Sequence, residues 1–390
     1  MNMLNRTLSF RPGLWLWLFL APGLVADGPQ ASTGKTQPVV NAHPMKFGVL
    51  LDFASYVSPV RPPFGERFPP QHNRIARLLT YTPPEKTLFK YLESLYDTGA
   101  EIIRIDFYFD PWLLQHSPDA KQRRWAKERL PVFDRVVKKI RKDGKKLFIA
   151  DAGAGYYATF GNKNHPLPWK EFREAQKKEI ATLARRYKPE YYEIVKEYSW
   201  YSDWGMIKER PSAEEWAEQT EQLCGIVKKI NPSTKVAIGL IVQSELDAAV
   251  AKRVVGSACL DIIGVDIYSD QDIEIVKQKH FSRSVHEHGK EAWLLETWTG
   301  FVGSYGEPQR EQSDAAWIRK AAAFAREQGM DGFIPFFSSH FFFYDMPPGW
   351  ETVSQEKLDD LFTRFFDAKL SERTAVFRAF RDSVQMKAAR

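Results

Sequence analysis

Cysteine is scarce in this 390-residue chain: Cys224 and Cys259 are the only two, and neither lies in a C-x-x-C pair. That argues against a cysteine-rich zinc site. Nothing in the sequence decides whether they pair, which export would permit. Charge of one sign is also lacking. The 55 Lys+Arg and 49 Asp+Glu leave a net +6, and the basic residues are scattered, so a nucleic-acid partner is not indicated. No Gly-rich phosphate loop follows the first apolar run; residues 53–70 read FASYVSPVRPPFGERFPP instead. With 44% hydrophobic and 27% charged residues, the composition excludes a disordered tail protein, a collagen and a coiled coil.

The most apolar segment is short. Arg6 and Arg11 precede the run Leu14–Ala21, and Ala26 precedes the first acid, Asp27. The run is too short to span a bilayer comfortably, so residues 1–26 read as a cleaved signal peptide, with an uncleaved anchor as the alternative. A secreted or periplasmic protein is expected, with no stable membrane insertion after cleavage. Residues 27–45 are rich in Gly, Pro, Ser, Thr, Gln and Asn and read as a flexible linker.

From residue 46 strand-like and helix-like runs alternate. The spacing predicts strands at 46–53, 101–109, 146–151, 191–198, 235–242, 261–268, 291–297 and 332–337. It predicts helices at 85–98, 118–143, 168–186, 212–229, 244–255, 271–288 and 311–328. Ser212 and Glu215 have capping-box spacing. A long amphipathic stretch, 353–386, closes the chain. Eight such units fit a single-domain α/β (β/α)8 TIM barrel over 46–350, with 351–390 as a helical segment completing it. A doubly wound open sheet is the alternative, disfavoured by the missing phosphate loop.

In such a barrel the chemistry sits at the carboxyl ends of strands. The polar residues there are Asp52, Asp106, Asp151, Glu197, Asp266 with Tyr268, Glu296, and 338–340. Glu197 and Glu296 each end a highly apolar strand, where a carboxylate must be solvated, hydrogen-bonded or functional. Two carboxylates across a barrel mouth can cleave a glycosidic bond. One protonates the leaving oxygen; the other attacks the anomeric carbon, or positions a water if the gap exceeds roughly 5–5.5 Å. Salt-bridged, solvated acids are the plainer alternative. Asp52, Asp106 and Asp151 lack a loop of metal-ligand spacing, so no metal is expected. His280, His286 and His288 read as surface residues.

These strands resemble those of the clan A glycoside hydrolases over about residues 46–345. Residues 192–197, YEIVKE, are similar to that clan's fourth strand, whose last glutamate is the acid/base. Residues 293–298, WLLETW, resemble its nucleophile strand. Residues 261–268 resemble its sixth strand, where a tyrosine supports the nucleophile, and Ile103-Arg104-Ile105 resembles its arginine position. The resemblance implies a retaining enzyme with Glu197 as acid/base and Glu296 as nucleophile, tuned by Arg104 and Tyr268, with no cofactor. A poly- or oligosaccharide substrate is expected, and a monomer.

Three departures stand out. Lys196 replaces the clan's asparagine before the acid/base, and its charge would lower the pKa of Glu197 unless it points away or meets an anionic sugar. Phe336 and Phe337 stand where a tryptophan platform is common, which shifts sugar stacking to Trp298, Trp200 or Trp204. Strand three ends in Asp151 with no histidine. A catalytically degenerate glycan-binding or scaffold protein on the same barrel is therefore the second reading.

Overall fold

Strands of a parallel barrel are covered by helices outside and side chains inside, so both faces must be apolar. The fourth and sixth predicted strands are covered on both faces: every residue of Tyr191–Lys196 and Ile262–Ile267 is buried. The computed structural model describes residues 44–52, 83–107, 120–151, 167–203, 207–299, 306–350 and 352–386. The expected signal peptide lies outside the described residues, as do most of the linker and Trp204.

The strands are β1 (Lys46–Leu50), β2 (Ile102–Phe107), β3 (Lys146–Asp151), β4 (Tyr191–Lys196), β5 (Lys235–Ile241), β6 (Ile262–Ile267), β7 (Glu291–Thr297) and β8 (Gly332–Phe333). They pair in parallel and in chain order, and β8 pairs back to β1, closing the barrel. Around them run α1 (Glu85–Tyr96), α2 (Ala120–Lys142), α3 (Trp169–Tyr187), α4 (Tyr198–Asp203), α5 (Ala213–Ile230), α6 (Glu245–Val254), α7 (Asp270–Gln278), α8 (Phe281–Glu287), α9 (Glu311–Glu327), α10 (Gln355–Lys369) and α11 (Ala375–Gln385). Among the described residues, no helix is long and apolar enough to cross a membrane.

The helix signals act as chemistry requires. Ser212 and Glu215 form a reciprocal capping box at the start of α5. Four elements differ from expectation. The predicted helix 271–288 breaks at His280, whose φ of 48° belongs to no right-handed helix. The stretch 353–386 breaks before Thr374, whose hydroxyl accepts from the Phe377 amide and starts α11. β8 keeps only two ladder residues, and a 3-10 turn follows at Ser338–Phe341. The segment after Glu197, where no helix is predicted, opens with α4. Cys224 of α5 and Cys259 form a disulfide, with Cα atoms 5.9 Å apart.

Strict alternation along β2 and β6 sends Ile102, Arg104 and Asp106, and Ile262, Gly264 and Asp266, into the barrel. An apolar cluster including Ile102, Phe148, Tyr191, Trp293 and Leu295 fills its lower interior. Glycines make room for side chains of this interior. A Cβ on Gly264 would lie 2.2 Å from Leu295, and one on Gly239 would lie 2.1 Å from the Glu193 carboxyl.

Candidate active site

Two register shifts build the site on that floor. Along β4 the pairing with β5 slips between Glu193 and Val195. Ile194 and Val195 both join the outer core, so Glu193 and Lys196 share the inner face although they are three apart. Along β7 the pairing with β6 slips at Val265/Asp266, bringing Glu296 opposite Asp266. Strict alternation from Trp293 would turn Glu296 outward; the irregularity turns it in beside Leu295.

The Glu296 carboxylate meets three donors. Arg104 Nη2 lies 2.7 Å and Lys196 Nζ 2.5 Å from Oε1, and the Tyr268 hydroxyl donates to Oε2 at 2.6 Å. Arg104 is fully buried, so its other donors are also used. It pairs with Asp106 at 2.5 Å, approaches Glu193 at 3.0 Å and donates to the Leu295 carbonyl at 2.8 Å. Lys196 also reaches Asp106 at 3.2 Å and lies 4.9 Å from the centre of the Phe336 ring. A guanidinium and an ammonium thus hold three buried acids in one network, a geometry in which loss of one partner strands the rest.

Glu197 follows β4 directly and has a φ of 59°, strained for a residue with a Cβ. Its amide donates to the Gly239 carbonyl. The next turn is fastened by Asp247 of α6, which accepts from the Ser199 and Ile241 amides at 3.0 and 2.8 Å. Asp272 of α7 does the same for Tyr268, accepting from its amide at 3.0 Å. Each of these acids stands three residues after a capping serine, Ser244 or Ser269. The spacing was visible in the sequence, but not which strand end each acid would grip.

Burial, then the charge of Glu296, raises the Glu197 carboxyl to about 7; Lys196 opposes the shift without winning. Burial also raises Glu193 to about 8, against the pull of Arg104 and Lys196. Asp266 is raised well above the ordinary aspartate range by burial and by Glu296. One oxygen from each of Glu197, Asp266 and Glu296 lies within 4.8 Å of the others, the one such acidic group found among the described residues. A cation there would meet the Lys196 ammonium already seated on Glu296.

The remaining sequence candidates are buried, tied into other contacts or outside the described residues. Trp298 is fully buried, packed edge-on against Phe337 and beside His340. Trp200 in α4 is 8% exposed and packs against Tyr201. Asp151 ends β3, but its side chain is outside the described residues. Asp52 is a structural anchor: it accepts from the Tyr91 hydroxyl and from the Ser339 amide, tying β1 to α1 and the turn after β8. His286 pairs with Asp331 at 2.8 Å on the surface of α8.

No family model and no curated protein matches this chain. Solved structures do. An endo-β-1,4-mannanase from Thermotoga petrophila aligns with a TM-score of 0.50 at 12% identity, covering 78% of this chain and 74% of its own. An exo-β-1,4-mannosidase from Opitutaceae bacterium strain TAV5 aligns with a TM-score of 0.53 at 10% identity, over 89% and 60%. A glucosidase from Croceicoccus marinus aligns with a TM-score of 0.46 at 14% identity, over 76% of this chain; the chain spans 63% of that protein's length. At such identities the likeness speaks for architecture, and the chain has the (β/α)8 barrel fold.

Proposed function

We propose that the chain is an exported, retaining glycoside hydrolase acting on a poly- or oligosaccharide. The observation that carries this reading is the approach of two strand-end glutamates, Glu197 and Glu296, to within 4.8 Å, one raised in pKa and the other gripped by three donors. That spacing suits direct attack better than a water-mediated one, which needs roughly 6.5–9.5 Å. In the first step a Glu296 oxygen bonds to the anomeric carbon while the bond to the leaving oxygen breaks. Glu197 gives its proton to that oxygen. In the second step Glu197 takes a proton from water, the water oxygen bonds to the anomeric carbon, and Glu296 leaves as a carboxylate. Arg104, Lys196 and Tyr268 hold the attacking group; Asp151 is proposed at the rim of the same mouth.

The disulfide between Cys224 and Cys259 supports export, since such bonds persist in oxidising compartments. Trp298 and Trp200 are retained as sugar platforms; each needs its cover to move, so glycan binding should change tryptophan fluorescence. Neighbours of the same fold that are named as a β-1,4-mannanase and a β-1,4-mannosidase make β-linked mannans the first substrates to screen.

One observation favours the second reading, a glycan-binding protein without turnover: Lys196 seats a cation on the would-be nucleophile. A mechanism-based epoxide or fluorosugar, followed by peptide mass spectrometry, separates the two. Covalent label on Glu296, lost in Glu296→Ala together with all turnover, is the expected result. Tight glycan binding without label would leave the binder.

A further inference from the structure

Asp266 has no part in the chemistry above, yet it lies beside it. It is 3% exposed, and among the described residues neither of its oxygens accepts a hydrogen bond from a donor. Among the described residues, five carboxyl groups crowd this mouth, Asp106, Glu193, Glu197, Asp266 and Glu296, and two cations, Arg104 and Lys196, face them. Both are committed to Asp106 and Glu296, and Arg104 also to Glu193. A buried carboxylate that no described cation pairs with directly and no described donor reaches is too costly to persist, so Asp266 is the group with most reason to stay neutral. A neutral carboxylic acid owns one O–H donor. Its carboxyl neighbours are Glu197 and Glu296, with one oxygen of each of the three within 4.8 Å of the others.

We infer that Asp266 retains its proton and donates a hydrogen bond to Glu197, acting as a positioning residue for the proposed acid/base group. The donation strengthens when Glu197 becomes a carboxylate, because hydrogen bonds to ionised acceptors are the stronger ones. It therefore steadies the anion that forms when Glu197 gives up its proton, and fixes the carboxyl during both steps. This rests on the reading of Glu197 as acid/base, but the hydrogen bond itself does not. The groups facing the pair are Glu296 from β7, Lys196 and Glu193 from β4, Tyr268 after β6 and Asp247 from α6. Burial, with the charges of Glu296, Glu197 and Glu193, pushes the Asp266 carboxyl well above the ordinary aspartate range.

The test reads the proton directly. The Glu197 midpoint is followed by 13C NMR of side-chain-labelled glutamate, assigned with Glu197→Gln, in the wild type and in two variants. Asp266→Ala removes the donor and should raise the midpoint by about one pH unit. Asp266→Asn keeps an N–H donor without a charge and should leave it unchanged or slightly raised. The alkaline limb of kcat/KM should follow in each. An unmoved midpoint in Asp266→Ala overturns the inference. So does a fall in either variant, which would mean that Asp266 is ionised and acts by repulsion. If Asp266→Ala fails to fold, Asp266→Asn decides by the sign of its shift. Midpoints that behave as expected in a protein that never labels at Glu296 would sink the hydrolase and leave the hydrogen bond standing.

Discussion

Lys196 shows how burial can reverse a judgement made from charge alone. An ammonium next to an acid/base glutamate lowers that acid's pKa, and here it does so. The lysine nevertheless points toward Glu296 and Asp106, whereas Glu197 is buried beside two other acids, Asp266 and Glu296. Desolvation and like charge outweigh the cation, and the carboxyl sits at about 7. The proposed hydrolase should lose kcat/KM on the alkaline side with a midpoint near that value, as Glu197 loses the proton it must donate. Lys196→Met removes an influence that lowers the midpoint, so the limb should move to higher pH while kcat falls. A limb that stays in place on initial-rate pH profiles of both proteins would show that Lys196 does not act on Glu197.

At the scale of elements, two irregular ladders matter more than any strand propensity. The residue identities of β4 and β7 were legible in advance, as was the presence of acids at their ends. Their facing was not, because alternation counts one residue per side and a register shift adds one. Only the partner strand reveals that Ile194 and Leu295 are the places where counting fails. The same interior explains Gly239 of β5, which leaves space for the Glu193 carboxyl. Gly239→Ala would push a methyl into that carboxyl and displace it from Arg104. We expect a loss of about 1–3 kcal/mol by chemical denaturation, the usual range for overpacking. Gly225→Ala, on α5 with nothing near its built Cβ, should show no such loss and serves as the control.

For the whole molecule, the raised acids predict a direction for stability against pH. Glu193 has a native pKa of about 8 against an ordinary 4.5, and Glu197 about 7. Below 4.5 both the folded and unfolded chains hold these protons. Between there and about 8 the native state holds protons that the unfolded chain has released. Stability therefore falls as pH rises through this window. Thermal denaturation should show a higher Tm at pH 5.5 than at pH 8.5, and Glu193→Gln should flatten the slope. A Tm that climbs over this range would contradict the protonated state of Glu193. The eightfold rhythm of apolar runs and capped helices sufficed to imply the barrel, since period, caps and breakers are local properties of the chain. Glu197 and Glu296 stood out as acids at the ends of apolar strands, which are conspicuous in one dimension, whereas Arg104 and Tyr268 were expected only from the resemblance to the clan A strands. Left to the tertiary structure were the inward turn of Glu296, the seat of Lys196, the approach of Asp266 and the pairing of two cysteines 35 residues apart. Each depends on distances between segments far apart in the chain, and such distances exist only once the barrel has closed.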